Sequence, residues 1–448
     1  MAPIDLAHLR AWTAVPTPRF VGGNRVELLE GGIELFPRMR AAIAAARREV
    51  WLATYIFHDD ETSIALLEDL CAAAARGVAV HVVLDGFGSN GTLPAIRKRL
   101  AGTDVRLEVF RPLERWWAWL QPGQLRRLHQ KLCVCDTAED GTPGGQSPGG
   151  GNDTEGQAGR HGEVAFVGGI NVIDDRNDLR HGWSDQPRLD FAVELRGPLA
   201  TAVHATARAM WARAHLARGW REEVRTLARS AAPMDKARSL VRQLRGAAEL
   251  AAADDMSPMR AAFLVRDNLR QRRAIERSYV EAIRGARQRV DIAVPYFYPG
   301  RAFRRALRRA ARRGVQVRLL LQGKVDYRIA AIAARALYAE LRATGVRIYE
   351  YTPAFLHAKV AVVDEEWATV GSSNIDPLSL LLNLEANVVV RDPEFARVLG
   401  ARFDAAFAVS SEVSAQPARA GWRGWLQRAG VAWVANVYLR VAGITGRY

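Results

Sequence analysis

Two apolar runs opened by glycine, GVAVHVVLDGFG (residues 77–88) and GVQVRLLLQGKV (314–325), set the frame for reading the chain. A strand with one wet face alternates apolar and polar residues. A run without alternation is expected where both faces are covered, as in a parallel strand between layers. Each run follows an apolar strand that ends in aromatics, VWLATYIFHDD (50–60) and VDIAVPYFYPG (290–300). An Ala/Arg-rich helix precedes each of those strands, at 34–48 and 275–288, and a second helix follows. Downstream come a third strand (VRLEVF, 105–110; VRIYEY, 346–351), a strand bearing His and Lys, and a Gly-rich turn ending in Asn (FVGGIN, 166–171; TVGSSN, 369–374). A strand opened by an acid closes each half (DFAVEL, 190–195; EANVVV, 385–390). Strands alternating with helices predict an α/β fold with mainly parallel sheets. The doubling predicts two tandem repeats packed about a pseudo-twofold axis.

At 448 residues the chain exceeds one compact core, in keeping with two domains. The expected divisions are 1–216, a charged Ala-rich connection at 217–258, 259–416, and a tail at 417–448. Between Asp136 and Gly168 the first half carries a Gly/Pro/Ser/Asp-rich insert, 137–163, that lacks apolar periodicity and reads as a surface loop. The tail sets Trp422, Trp425, Trp433 and Tyr438 among Arg419, Arg423, Arg428 and Arg440, a composition suited to the headgroup region of a bilayer. WWAWL (116–120) reads as a second interfacial element, a lid over the site or a buried cluster. No apolar run reaches the ~18 residues that a bilayer span requires. The N-terminus has no cationic start followed by an apolar core, so no signal peptide is expected. The reading is a soluble or peripheral protein.

Net charge is +15 and the pI about 10.3, which favours anionic partners: lipid surfaces, nucleic acid or phosphorylated substrates. Arginine supplies nearly all of this charge. The only lysines are Lys98, Lys131, Lys236, Lys324 and Lys359, so lysine where it does occur marks a need for a compact cation. Three cysteines, Cys71, Cys133 and Cys135, cannot build a disulfide framework, and a reducing compartment is expected. Cys133 and Cys135 beside His129 raise a metal reading, but no second cysteine pair follows; neither metal nor cofactor is expected.

The chemistry lies in LHQKLCVCD (128–136) and LHAKVAVVD (356–364). His129, Lys131 and Asp136 have the same spacing as His357, Lys359 and Asp364. On a strand, His and Lys two apart project to one face, and a polar face on an apolar strand is costly to bury without partners. If the two halves meet, both His/Lys faces converge on one cleft. Lys131, Lys359, Asn171 and Asn374 then form a nest for a tetrahedral anion such as a phosphodiester. One imidazole can attack phosphorus in line while the other protonates the leaving oxygen. Each needs a carboxylate on its second ring nitrogen to fix the tautomer, and Asp190 and Glu385 are the candidates.

H-x-K-x4-D followed by G-[GS]-x-N, twice in one chain, resembles the phospholipase D superfamily. That resemblance implies two phospholipase D-like α/β/α repeats sharing one active site and a phosphohistidine intermediate. His129 is the implied nucleophile and His357 the implied acid/base, with the reverse assignment open. Lys131, Lys359, Asn171 and Asn374 match the phosphate-binding positions, and Asp190 and Glu385 the histidine-orienting acids. Asp136 and Asp364 complete the catalytic motifs and read as structural supports. VELLEGGIELFPRMRAAI, EVWLATYIFHDDETS, LDGFGS, AFVGGINVIDD, PYFYP, GVRIYEY and LHAKVAVVDEEWATVGSSNIDPLSLLLNLEANVVV narrow the resemblance to bacterial cardiolipin synthases of the type without N-terminal transmembrane helices, over roughly residues 20–410. Departures are the CVCD strand with its insert and the loop holding Lys324 and Asp326, a candidate headgroup contact.

The implied activity moves a phosphatidyl group onto phosphatidylglycerol, with phosphatidylglycerol, phosphatidylethanolamine or cardiolipin as donor. The implied setting is an anionic phospholipid membrane, at the cytoplasmic face of the bacterial inner membrane, with no obligatory nucleic acid. Rival readings are a hydrolase releasing phosphatidic acid, a metal-independent nuclease, and a membrane scaffold with a relic site. Oligomeric state is not legible.

Overall fold

The structure is a computed structural model that describes residues 19–112, 127–136, 162–179, 182–228 (216–228 as backbone), 259–266, 271, 273–324, 337–376, 379 and 383–413. WWAWL, Asp326, the tail from 417 and most of the insert and connection lie outside the described residues.

The first half runs β1 (Arg25–Glu30), α1 (Gly31–Ala45), β2 (Glu49–Thr54), α2 (Glu61–Ala75), β3 (Ala79–Asp85), α3 (Leu93–Leu100), β4 (Arg106–Phe110), β5 (Leu132–Asp136), β6 (Glu163–Gly168), the small hairpin β7 (Asn177–Asp178) and β8 (Gly182–Trp183), β9 (Phe191–Arg196) and α4 (Pro198–Ala228). The second runs β10 (Arg260–Arg266), α5 (Ala274–Gly285), β11 (Arg289–Val294), α6 (Arg301–Arg312), β12 (Gln316–Gln322), β13 (Arg347–Tyr351), β14 (Val360–Val363), β15 (Trp367–Gly371), β16 (Glu385–Arg391), α7 (Pro393–Ala408) and β17 (Ser411–Glu412). The expected division at 216 falls inside α4, whose Ala/Arg-rich sequence carries the helix on to residue 228.

The sheets have matching strand orders, β1-β9-β6-β5-β2-β3-β4 and β10-β16-β15-β14-β11-β12-β13-β17. Five of the first seven strands and five of the other eight run in one direction, yet only β2-β3-β4 and β11-β12-β13 pair in parallel. Helical crossovers give those parallel trios. Where the connection is a tight turn, as between β14 and β15, the next strand can only return antiparallel. The edge strands β1 and β10, each antiparallel to the closing strand of its half, escape the sequence reading.

Three apolar clusters hold the molecule together. One lies between the first sheet and α1, α2 and α3, and a second between the other sheet and α5 and α6. The third is common to both halves. It joins Val83, Val134 and Val193 to Leu320, Val362 and Val388, with Leu199 and Val203 of α4 and Phe395 and Leu399 of α7. Helix starts follow local chemistry: Asp60 and Asp392 cap α2 and α7 by accepting from Ser63 N (3.0 Å) and Phe395 N (2.8 Å). A common core of this kind brings the two His/Lys segments to one place.

Candidate active site

Both His/Lys segments are extended lead-ins to their strands rather than strand residues, since β5 starts at Leu132 and β14 at Val360. Each pairs with the other half. Leu128 bridges Leu384, and Leu189 bridges Leu356. The bonds are His129 N to Leu384 O (3.0 Å) and His357 N to Leu189 O (2.9 Å). This backbone crossing crosses the side chains. His129 Nδ1 lies 2.9 Å from Glu385 Oε2 and 3.1 Å from Ser372 O, while His357 Nδ1 lies 2.6 Å from Asp190 Oδ2. Each histidine is therefore oriented by the carboxylate of the opposite repeat. With Nδ1 engaged, Nε2 is the nitrogen left for chemistry.

The two lysines are buried, Lys131 at 6% exposure and Lys359 at 0%. Each ammonium donates to the carbonyl of its own histidine residue, Lys131 Nζ to His129 O at 2.6 Å and Lys359 Nζ to His357 O. Burial lowers Lys131 to about 8, against the pull of Glu385, Asp190 and Asp85. It lowers Lys359 to about 7, against Asp190 and with Lys131 adding to the effect. Burial also holds both histidines below the usual imidazole range. Glu385 counters this at His129, and Lys359 and Arg188 reinforce it at His357. Both rings thus favour the neutral form near pH 7, and the two lysines share the site with the carboxylates of Asp190 and Glu385.

The two acids are not equivalent. Burial raises Asp190 despite Lys359 and the Phe191 N–H (2.9 Å). At Glu385 burial is outweighed by His129, Lys131 and the Ser372 hydroxyl, which donates to Oε2 at 2.5 Å, and the carboxyl lies below its usual range. No such hydroxyl fits in the first half. Gly169 stands there, and a Cβ on it would meet Asp190 Oδ1 at 2.3 Å.

Asn171 and Asn374 are buried at 2% and 6% in the turns that follow β6 and β15. Asn171 Oδ1 accepts from Ile56 N at 3.2 Å, and Asn374 Oδ1 has no hydrogen-bond partner among the described residues. Asp136 and Asp364 lie apart from this group, seven residues beyond each histidine, or about 23 Å at extended rise. Asp136 accepts from Arg48 N (3.0 Å), Glu49 N (2.9 Å) and Arg48 Nε (2.9 Å). Asp364, in the left-handed region at φ 52°, accepts from Arg287 N (3.0 Å), Gln288 N (2.8 Å) and Arg289 N (3.0 Å). These bonds tie strand ends together. Lys324 donates to Pro353 O at 3.2 Å, with its ammonium 5.6 Å from the Phe355 ring centre.

Sequence reasoning passed over several residues that the structure gathers here. Asp85, fully buried at the end of β3, accepts from Leu128 N (2.9 Å), Phe87 N (2.8 Å) and Gly88 N (3.1 Å). Burial raises it to about 6 against Arg127 and those N–H groups. Gln322, at the end of β12, does the same for Leu356 N at 3.0 Å. Each holds the chain one residue before a histidine. The available signal was the matched position, D in LDGFG and Q in LQGKV. Tyr55 stands edge-on to His129, ring centres 5.1 Å apart. Among the described residues no group of three or more His, Cys, Asp or Glu is arranged to hold a metal ion.

Comparison with known proteins identifies the family. The family described as "Cardiolipin synthase, PLD-like domain" matches residues 39–181 and 279–407, one match per repeat. Cardiolipin synthase B of Escherichia coli (strain K12) is 33% identical over 389 residues, covering 84% of this chain and 79% of that protein. Cardiolipin synthase A of Pseudomonas fluorescens (strain SBW25) is 31% identical over 415 residues, covering 92% and 74%. Among solved structures, phosphatidylserine synthase of Haemophilus influenzae Rd KW20 superposes with a TM-score of 0.61 over 97% of this chain and 98% of that one, at 12% identity, a likeness of fold. With both repeats matched and the relatives aligned along most of its length, the chain belongs to the cardiolipin synthase family with phospholipase D-like domains.

Proposed function

We propose that this protein is a phosphatidyltransferase that forms cardiolipin by two displacements at one phosphorus. The crossed pairing of His129 with Glu385 and His357 with Asp190, around two buried lysines, carries the reading. It provides two tautomer-fixed imidazoles and compact cations for one phosphodiester.

The phosphate of a donor phospholipid enters between Lys131 and Lys359, within reach of Asn171 and Asn374. Its negative charge restores the ammonium forms that burial disfavours and draws His357 toward its protonated form. Nε2 of neutral His129 attacks phosphorus. The bond from phosphorus to the headgroup oxygen breaks, and that oxygen takes a proton from His357. His357, now neutral, removes the proton from the hydroxyl of an incoming phosphatidylglycerol, whose oxygen attacks the phosphohistidine. The new P–O bond forms as the P–N bond breaks. Free His129 and protonated His357 remain. The additional contacts on the His129–Glu385 pair, from the Ser372 carbonyl and hydroxyl, support His129 as the nucleophile.

The donor is phosphatidylglycerol, with phosphatidylethanolamine the second candidate, and the setting is the surface of an anionic membrane on the cytoplasmic side. No helix among the described residues is long and apolar enough to cross a bilayer. Mass spectrometry of lipids from purified protein and phosphatidylglycerol vesicles tests the reaction. Cardiolipin with released glycerol is the expected result. Phosphatidic acid alone would make the enzyme a hydrolase, and cardiolipin only when phosphatidylethanolamine is added would change the donor.

A further inference from the structure

The two repeats offer an internal comparison. Helices α2 and α6 occupy the same place, each between a first and second parallel strand. Each ends in an arginine that folds back onto the preceding helix: Arg76 onto Ile43 O and Ala44 O (both 3.0 Å), Arg313 onto Arg284 O (3.1 Å) and Ala286 O (3.0 Å). Their surfaces are opposite in charge. α2, ETSIALLEDLCAAAA, holds Glu61, Glu68 and Asp69 and no cation. α6, RAFRRALRRAAR, holds six arginines and no acid. The fold therefore does not require the arginines.

Helix stability does not require them either. Cations in the first turn oppose the helix dipole, and like charges four apart repel. α6 has no acid in its first turn to offset Arg301, Arg304 and Arg305. Glu340 binds Arg304 (2.8 Å) and Arg308 (3.0 Å). Arg301, Arg305, Arg309 and Arg312 are exposed and have no carboxylate partner among the described residues. They form one ridge about 17 Å long at helical rise. The segment that leads into α6 reaches the turn of the candidate site: Phe297 bridges Ile375 and Tyr298 N donates to Ile375 O (2.7 Å), one residue past Asn374.

We infer that the arginine ridge of α6 is the surface on which the protein meets an anionic phospholipid bilayer, bringing the candidate site to its headgroups. This rests on the lipid reading of the site. Unpaired cations on one helix face, stabilised neither by the fold nor by the helix, match a sheet of phosphates.

Full-length protein is sedimented with vesicles of phosphatidylglycerol and phosphatidylcholine at several salt concentrations. The variant carries R301Q, R305Q, R309Q and R312Q. A charge-matched control carries R47Q, R97Q, K98Q and R99Q. The ridge variant is expected to lose vesicle affinity on the order of a thousandfold, with a shallower salt dependence, while the control loses far less. Its melting temperature is expected to hold or rise, because repulsion is relieved. Its cardiolipin formation in detergent-dispersed phosphatidylglycerol is expected to match wild type. Equal losses in both variants would overturn the assignment, as would a ridge variant that keeps vesicle affinity and instead loses affinity for duplex DNA. Hydrogen exchange on the unaltered protein gives an independent readout. Vesicles should slow exchange across 301–313 and leave 61–75 unchanged, and the reverse pattern would refute the ridge. Vesicle binding through the ridge by a protein that forms no cardiolipin would remove the proposed reaction and leave this surface standing.

Discussion

His129 and Glu385 are 256 residues apart in sequence and 2.9 Å apart in space, and the bond between them crosses from one repeat to the other. The reciprocal bond joins His357 to Asp190 across 167 residues. Neither repeat alone has an oriented histidine, so the pairing makes one site out of two copies.

Replacing Glu385 by Gln should lower kcat by roughly 10²- to 10⁴-fold, the range over which positioned acid–base groups act. Glu385 raises the His129 pKa, so its loss should move the His129 titration further down and leave His357 in place. NMR of labelled histidines in E385Q reads both. A shift at His357 with none at His129 would mean that the pairing is within each repeat.

The lysines predict a pH profile. In the empty site Lys359 loses its proton near 7 and Lys131 near 8, because burial disfavours the ammonium. A bound phosphodiester favours it. The alkaline fall should therefore be present in kcat/KM from about pH 7 to 8 and be absent or displaced upward in kcat. Asp85 helps to keep Lys131 charged, so D85N should move the kcat/KM limb to lower pH. A purely structural Asp85 would change the amount of active protein and leave the limb where it is.

Asp136 should separate stability from chemistry. D136A removes an acceptor from Arg48 N, Glu49 N and Arg48 Nε and should destabilise the fold by about 2–3 kcal/mol, as for a buried hydrogen-bonded carboxylate. Denaturant unfolding measures the loss. Activity per folded molecule should stay within a few-fold of wild type, and a loss comparable to that of H129A would place Asp136 in the chemistry.

Much of this architecture is legible in the sequence because the repeat shows each feature twice. A single His-x-Lys on an apolar strand has an ordinary structural explanation, and a duplicated one with matching Asn and acid does not. The sequence cannot show which acid serves which histidine. That depends on Leu128 pairing with Leu384 and Leu189 with Leu356, contacts between segments far apart in the chain. The same limit hid Asp85 and Gln322, whose carboxylate and amide serve backbone N–H groups 43 and 34 residues on. Ser372 is visible only as a departure from symmetry, a serine in GSSN where the other turn has glycine. Edge strands β1 and β10 were missed because they stand outside the βαβ alternation.

The most direct test of two histidines serving one phosphorus is the stereochemistry of transfer. A donor lipid made chiral at phosphorus, by sulfur and isotopic oxygen, is converted by the purified protein, and the configuration of the product is read by phosphorus NMR. Two successive in-line displacements, first by His129 and then by the acceptor hydroxyl, predict overall retention. Inversion would show a single direct displacement and contradict the account.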